Sequence, residues 1–156
     1  MSFQEQIKKT TSLGFFEGQV PLNYKYTMGV AGERFFQTLR DKGDFIASKC
    51  PECGTMAIYP LIYCEECFAE IKDYVSVGLT GELYSWTECS SDFKGARHEK
   101  PHLLGMVRFQ GVQGGIIHRL DVPLSEIAIG MKVIAVLRPS SQRKGSLDDI
   151  QCFKKA

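Results

Sequence analysis

The sequence predicts a mainly β chain in which one short helix precedes a cysteine-pinned ribbon and a five-stranded barrel. Three observations carry this reading. One stretch, Ala31 to Lys42, has helical periodicity. Two CxxC pairs, Cys50–Cys53 and Cys64–Cys67, flank an apolar, strand-like run. About five strand-like runs separated by turn signals then fill the second half of the chain.

In the helix, Phe35, Phe36 and Leu39 form an apolar stripe at spacings of three and four. Gly43 follows where a left-handed C-terminal cap is expected. The residues before it are irregular, broken by Gly14, Gly18, Pro21 and Gly29. Phe15, Phe16, Tyr24 and Tyr26 are too many aromatics for a free tail, so this arm packs either on its own domain or on a partner. The expected organisation is an arm and helix over 1–45, a ribbon over 46–72 and the barrel over 73–156.

The ribbon carries the chemistry. A CxxC turn points two thiolates inward from one tight loop, and two such knuckles complete a tetrahedral S4 site. That donor set suits zinc, with Zn–S of about 2.3 Å, and also holds iron in small electron carriers. With Cys50, Cys53, Cys64 and Cys67 all ligating, no position is left for a reactive water, so the ion is read as structural zinc. Gly54 follows the first pair, where a chain reversing around a metal needs positive φ. So small a module buries too little apolar surface to fold alone, and the metal supplies its folding energy.

The barrel strands are expected at Gly81–Glu88, His102–Gln110, Gly115–Asp121, Met131–Arg138 and Asp149–Lys154. Gly111 to Gly115 is a hairpin signal between the second and third. Five strands in so short a span suit an OB-fold. Trp86, Met106, Phe109, Ile116 and Val133 are read as core, and Ser90 to Pro101 as a charged loop between the first two strands.

Composition narrows the function. Hydrophobic residues are 44% of the chain, charged residues 24%, and the net charge is +1. That balance speaks against a dedicated nucleic-acid binder, although single-strand binding remains the alternative for an OB-fold with a zinc ribbon. The first twenty residues lack an export-signal core, and no apolar run reaches the roughly 18 residues of a membrane span, so a cytoplasmic location is expected. No catalytic set stands out: His98, His102 and His118 lack motif partners, and Cys89 and Cys152 stand alone.

The segments SKCPECGTMAIYPLIYCEEC, VGLTGELYSWTEC, PHLLGMVRFQG and LSEIAIGMKVIAVLRP, in that order after a helix, resemble the DUF35 family. Those are acyl-CoA-associated proteins with a rubredoxin-like zinc ribbon followed by an OB-fold. The resemblance covers roughly residues 31 to 140. One departure is Tyr59-Pro60-Leu61, where the family has a Pro-Pro-Arg-like step, so no role is carried over from that arginine.

The resemblance implies a non-catalytic accessory subunit of a thiolase-fold enzyme, which supplies the nucleophile and the acid–base groups. One branch of the family pairs with acetoacetyl-CoA thiolase and the synthase that follows it. Another is the small subunit of benzoylsuccinyl-CoA thiolase in anaerobic toluene degradation, toward which the aromatic-rich segment before the ribbon leans. The phosphates of a CoA thioester need cations, and Lys94, Arg97, Lys100, Arg119 and Arg138 are the candidate CoA-binding residues.

Overall fold

The computed structural model describes Gly18, residues 25–92 and residues 95–156. The aromatic arm, apart from Tyr26, lies outside them, and so does Lys94. Helix α1 spans Gly29–Asp41 and buries Ala31, Phe35 and Leu39, one residue per turn along a single face. It begins two residues before the expected start, where the Thr27 hydroxyl accepts the Gly29 N–H. Gly43 ends it as expected, at φ +66° with its N–H on the carbonyls of Thr38 and Leu39.

A three-stranded antiparallel sheet follows, in the order β2 (Met56–Ile58), β1 (Ile46–Lys49), β3 (Asp73–Ser76). The two knuckles project from it. Five strands then close a barrel: β4 (Thr80–Ser91), β5 (Arg97–Arg108), β6 (Ile116–Leu120), β7 (Lys132–Leu137) and β8 (Ile150–Lys155). Their order around the barrel is β4-β5-β6-β8-β7, antiparallel except for β6 against β8. This is the five-stranded OB arrangement expected from the sequence. Gly105 shows how tight the interior is, since a Cβ there would meet Leu120 at 2.6 Å and Leu83 at 2.7 Å.

One core joins the three parts. The Phe45 ring, just before β1, stacks on Phe35 of the helix at 6.0 Å and meets Phe109 and Phe153 of the barrel at 5.7 and 6.5 Å. The β5–β6 turn docks on the ribbon, with the Gln113 N–H on the Met56 carbonyl at 2.8 Å and the Ile58 N–H on the Gln113 carbonyl at 3.0 Å. Helix, ribbon and barrel therefore bury one continuous set of side chains.

Two sequence expectations fail in the first hairpin. The stretch Ser90 to Pro101 is strand rather than loop on both sides: β4 runs to Ser91, β5 begins at Arg97, and the Asp92 N–H donates to the Ala96 carbonyl between them. Pairing passes from Cys89↔His102 to Ser91↔Arg97, so β5 takes up extra residues around Pro101, which has no N–H to give the ladder. The register slip also draws the His98 and His102 rings to 4.8 Å. Trp86, read as core, is 38% exposed because β4 runs on past the closed part of the barrel. Met106 is half-buried, while Phe109, Ile116 and Val133 are buried as expected.

A second element is local to residues 144–149, where Ser146 and Asp149 form a capping box that the periodicity of the chain does not reveal. Asp149 is buried, and its carboxylate accepts the backbone N–H groups of Lys144, Gly145 and Ser146 at 2.7–3.2 Å. It thereby fixes the loop between β7 and β8, which lies against Phe36 and Arg40 of α1 at Gly145. Burial raises the Asp149 pKa, but the three N–H groups and the Arg138 charge outweigh it and hold the carboxyl below the usual aspartate range.

Candidate metal centre

Each knuckle begins from the same backbone frame. In the first, the Cys50 N–H donates to the Thr55 carbonyl at 2.9 Å and the Gly54 N–H to the Cys50 carbonyl at 3.1 Å. In the second, the Cys64 N–H donates to Ala69 at 2.9 Å and the Phe68 N–H to Cys64 at 3.0 Å. Gly54 and Phe68 are thus equivalent positions, four residues after the leading cysteine, and both have positive φ, +74° and +60°. Glycine adopts this geometry freely, whereas a side chain costs roughly 1–2 kcal/mol. Phe68 accepts that strain while remaining 79% exposed.

The four sulfur atoms of Cys50, Cys53, Cys64 and Cys67 all lie within 4.8 Å of one another. Cys50 and Cys67 are 3.5 Å apart, as are Cys53 and Cys64, and none is in a disulfide. Sulfurs about 2.3 Å from a tetrahedral zinc stand about 3.8 Å apart, so the spacing fits such an ion with small adjustments. Cys50 and Cys64 are buried and Cys53 and Cys67 exposed, which gives the site one dry side and one wet side. Among the described residues no other group of three or more metal-ligating side chains gathers its ligand atoms this closely.

The electrostatics suit a cation. The Thr55 hydroxyl lies 3.2 Å from Cys53 Sγ. That contact, the Thr55 backbone N–H, and the Cys50 and Cys64 thiols lower the Cys53 pKa to about 6. At Cys67 the Ala69 backbone N–H favours the thiolate, but Cys50, desolvation and the two remaining thiols outweigh it and push the group up to about 12. Four thiols crowded together cannot all ionise without a compensating charge, which is what a divalent metal supplies when bound. The geometry can hold an ion and rigidify the tip, and all four donors are spent in doing so.

The five cations named from the sequence are not gathered at one place. Arg97 and Lys100 are exposed on the projecting β4–β5 hairpin. Arg119 lines a shallow groove with His102, Leu103 and Cys152. Arg138 is engaged internally, its Nε donating to the Asp148 carbonyl at 2.7 Å. Cys89 faces His102 across the hairpin, and Cys152 lies on β8, where burial pushes its thiol up.

Two features escaped the sequence reading. One is Phe68, which an alignment of the two knuckles on their cysteines would have placed opposite Gly54. The other is an apolar edge where α1 meets the ribbon. Met28, Val30, Phe36, Tyr59 and Ile62 line a groove there of about 480 Å³, and Met28, Val30, Ile62 and Tyr63 are exposed. Exposed apolar residues grouped in this way mark an interaction surface.

Residues 74–138 match the family model for the ChsH2 C-terminal OB-fold domain. A DUF35-family protein of unknown function from Sulfolobus solfataricus superposes with a TM-score of 0.64, covering 82% of this chain and 87% of its own, at 25% identity. A chain of the Ltp2–ChsH2(DUF35) aldolase superposes with a TM-score of 0.56 over 78% of this chain and 91% of its own. At 19% identity that likeness is one of fold. No curated protein matches the chain. These findings bear out the DUF35 resemblance and the helix, ribbon and OB-barrel architecture.

Proposed function

We propose that this DUF35-type chain is an accessory subunit of a thiolase-type, acyl-CoA-handling enzyme complex, with structural zinc on its four cysteines. The observation that carries the reading is the match of residues 74–138 to the ChsH2 OB-fold. In the Ltp2–ChsH2(DUF35) aldolase a DUF35 chain is named beside Ltp2 in one enzyme. The α1–ribbon edge supports it as a docking surface of suitable character: apolar, exposed, and stiffened at one end by the S4 site. Bond-making belongs to the partner, and this chain's work is assembly and support of CoA-thioester binding.

The hairpin cations Arg97 and Lys100 project from the barrel and are available to the thioester's phosphates or to the partner. The finer assignment, to the small subunit of a benzoylsuccinyl-CoA thiolase, rests on the sequence resemblance and its aromatic N-terminal segment. Cell extracts making that activity would yield this chain with the thiolase.

Co-expression with a thiolase-type subunit from the same organism tests the reading. A stable complex is expected from the unchanged chain. Val30→Asp combined with Ile62→Asp should abolish the complex while zinc content and thermal unfolding of the free chain stay normal. A complex indifferent to that pair moves the docking surface elsewhere, and no complex at all refutes the reading.

A further inference from the structure

A second site lies on the barrel wall, on the outer face of β4, β5 and β7. Arg108, Glu82 and Lys132 form one cross-strand row, Glu82 being the register partner of both cations. Lys132 takes the carboxylate, its Nζ 3.3 Å from Glu82 Oε2. Arg108 does not. Its guanidinium lies over the Tyr84 ring, 3.4 Å from the centroid, and among the described residues no carboxylate comes within ion-pair distance of it. These four residues, with Gln110, line an open cleft of about 510 Å³.

An arginine directly opposite a carboxylate on a sheet ordinarily pairs with it. Here it lies over an aromatic ring that is 48% exposed, and both side chains line the cleft. A guanidinium so placed offers two things at once: a plane on which another ring can stack, and donors for an oxyanion. Glu82 adds an acceptor between the two cations. A bare anion would be repelled by Glu82, and a plain hydrocarbon would leave three polar groups unused. A planar ring bearing an amino group, with phosphate attached, uses all of them: the ring on Arg108, the amino group on Glu82, the phosphate on Lys132 and the guanidinium edge.

We infer that this cleft is a subsite for the adenine–phosphate end of a nucleotide, and, resting on the function proposed above, that the nucleotide is the CoA portion of the thioester. Arg108 and Lys132 are not among the cations that the sequence singled out, because a lone arginine at a strand end carries no motif.

Calorimetric titration of the full-length zinc-loaded chain with adenosine 3′,5′-bisphosphate tests the subsite without any partner. Saturable one-to-one binding is expected. Arg108→Ala and Tyr84→Ala should each weaken it by about tenfold or more, the scale of losing one stacked base. Arg108→Lys, which keeps the charge and loses the plane, should recover only part of it. Arg40→Ala, on α1 and outside the cleft, should leave binding unchanged, and pantetheine should not bind. Unchanged zinc content and thermal unfolding show that each variant is folded. No saturable binding, or equal losses in Arg40→Ala and Arg108→Ala, would overturn the subsite. Tighter, Arg108-dependent binding of a single-stranded oligonucleotide would overturn it in favour of nucleic acid. A complex with the thiolase-type subunit that forms while the bisphosphate fails to bind removes the subsite alone. Bisphosphate binding with no such complex removes the CoA assignment.

Discussion

In the barrel, Leu83, Val107, Ile116, Val133 and Phe153 are fully buried and pack on one another across the strands. At the tip of the ribbon the buried residues are Cys50, Cys64 and Ile71, with Leu61 and Ala69 alongside. The first region has enough apolar surface to exclude water by itself; the second does not. Hydrophobic burial therefore holds the first part, whereas the second has, beyond its small cluster, four thiols placed to share a metal ion. Removing either support should affect the two parts differently.

The largest effect expected is that of the metal. Structural zinc binds finger-sized peptides with apparent free energies of about 10–16 kcal/mol at neutral pH, far above what the tip's few apolar contacts contribute. Chelation, or Cys64→Ser, should erase amide-exchange protection over residues 50–71 and leave that of β4 to β8 in place. Protection retained at the tip without metal would show that its small apolar cluster suffices.

Next comes the joint. Phe45→Ala should cost about 3–5 kcal/mol, the usual range for a buried Phe. Because Phe45 touches the helix and the barrel together, unfolding should stay a single transition at lower temperature. Two separated transitions, with the barrel's unchanged, would mean the parts do not share a core.

Asp149→Asn should cost about 1–3 kcal/mol, since three backbone donors lose their charged acceptor. The aspartate's folded pKa is depressed, so its contribution is complete above the unfolded value of about 3.9 and is lost as pH falls through the lower folded value. The gap between the parent chain and the variant, followed by denaturant midpoint, should narrow as pH falls below 4. A constant gap would deny the carboxylate its role.

The smallest effect separates the two knuckles. Gly54→Ala should destabilise by roughly 1–2 kcal/mol through its positive φ, whereas Phe68→Gly should leave stability unchanged or raise it by up to about 1 kcal/mol. If Phe68 is retained for docking, Phe68→Gly should at the same time weaken the complex. A stabilised variant with undiminished complex formation would leave the Phe68 strain unexplained.

What could be read in advance follows from how local each signal is. The CxxC pairs state their chemistry within four residues, and the stripe of Phe35, Phe36 and Leu39 states the helix within two turns. Strand number was legible from turn residues, and the barrel order follows from closure. The Asp149 cradle is local to residues 144–149 and was legible in principle from the Ser146-x-x-Asp149 capping pattern. The Arg108–Tyr84 stack and the exposure of Trp86, by contrast, depend on which strands become neighbours and in what register. These last two arise from pairing between distant segments, and no window of the sequence contains them. Phe68 lies between these cases: its strain was inferable once the second knuckle was laid on the first.

The most direct test of the accessory role is a titration of the isolated thiolase-type subunit with this chain, following the KM for the acyl-CoA thioester. The account predicts that KM falls, or that activity appears, up to a fixed stoichiometry and then levels off. A thiolase-type subunit that is fully active alone, with its KM unchanged at every ratio, would contradict it.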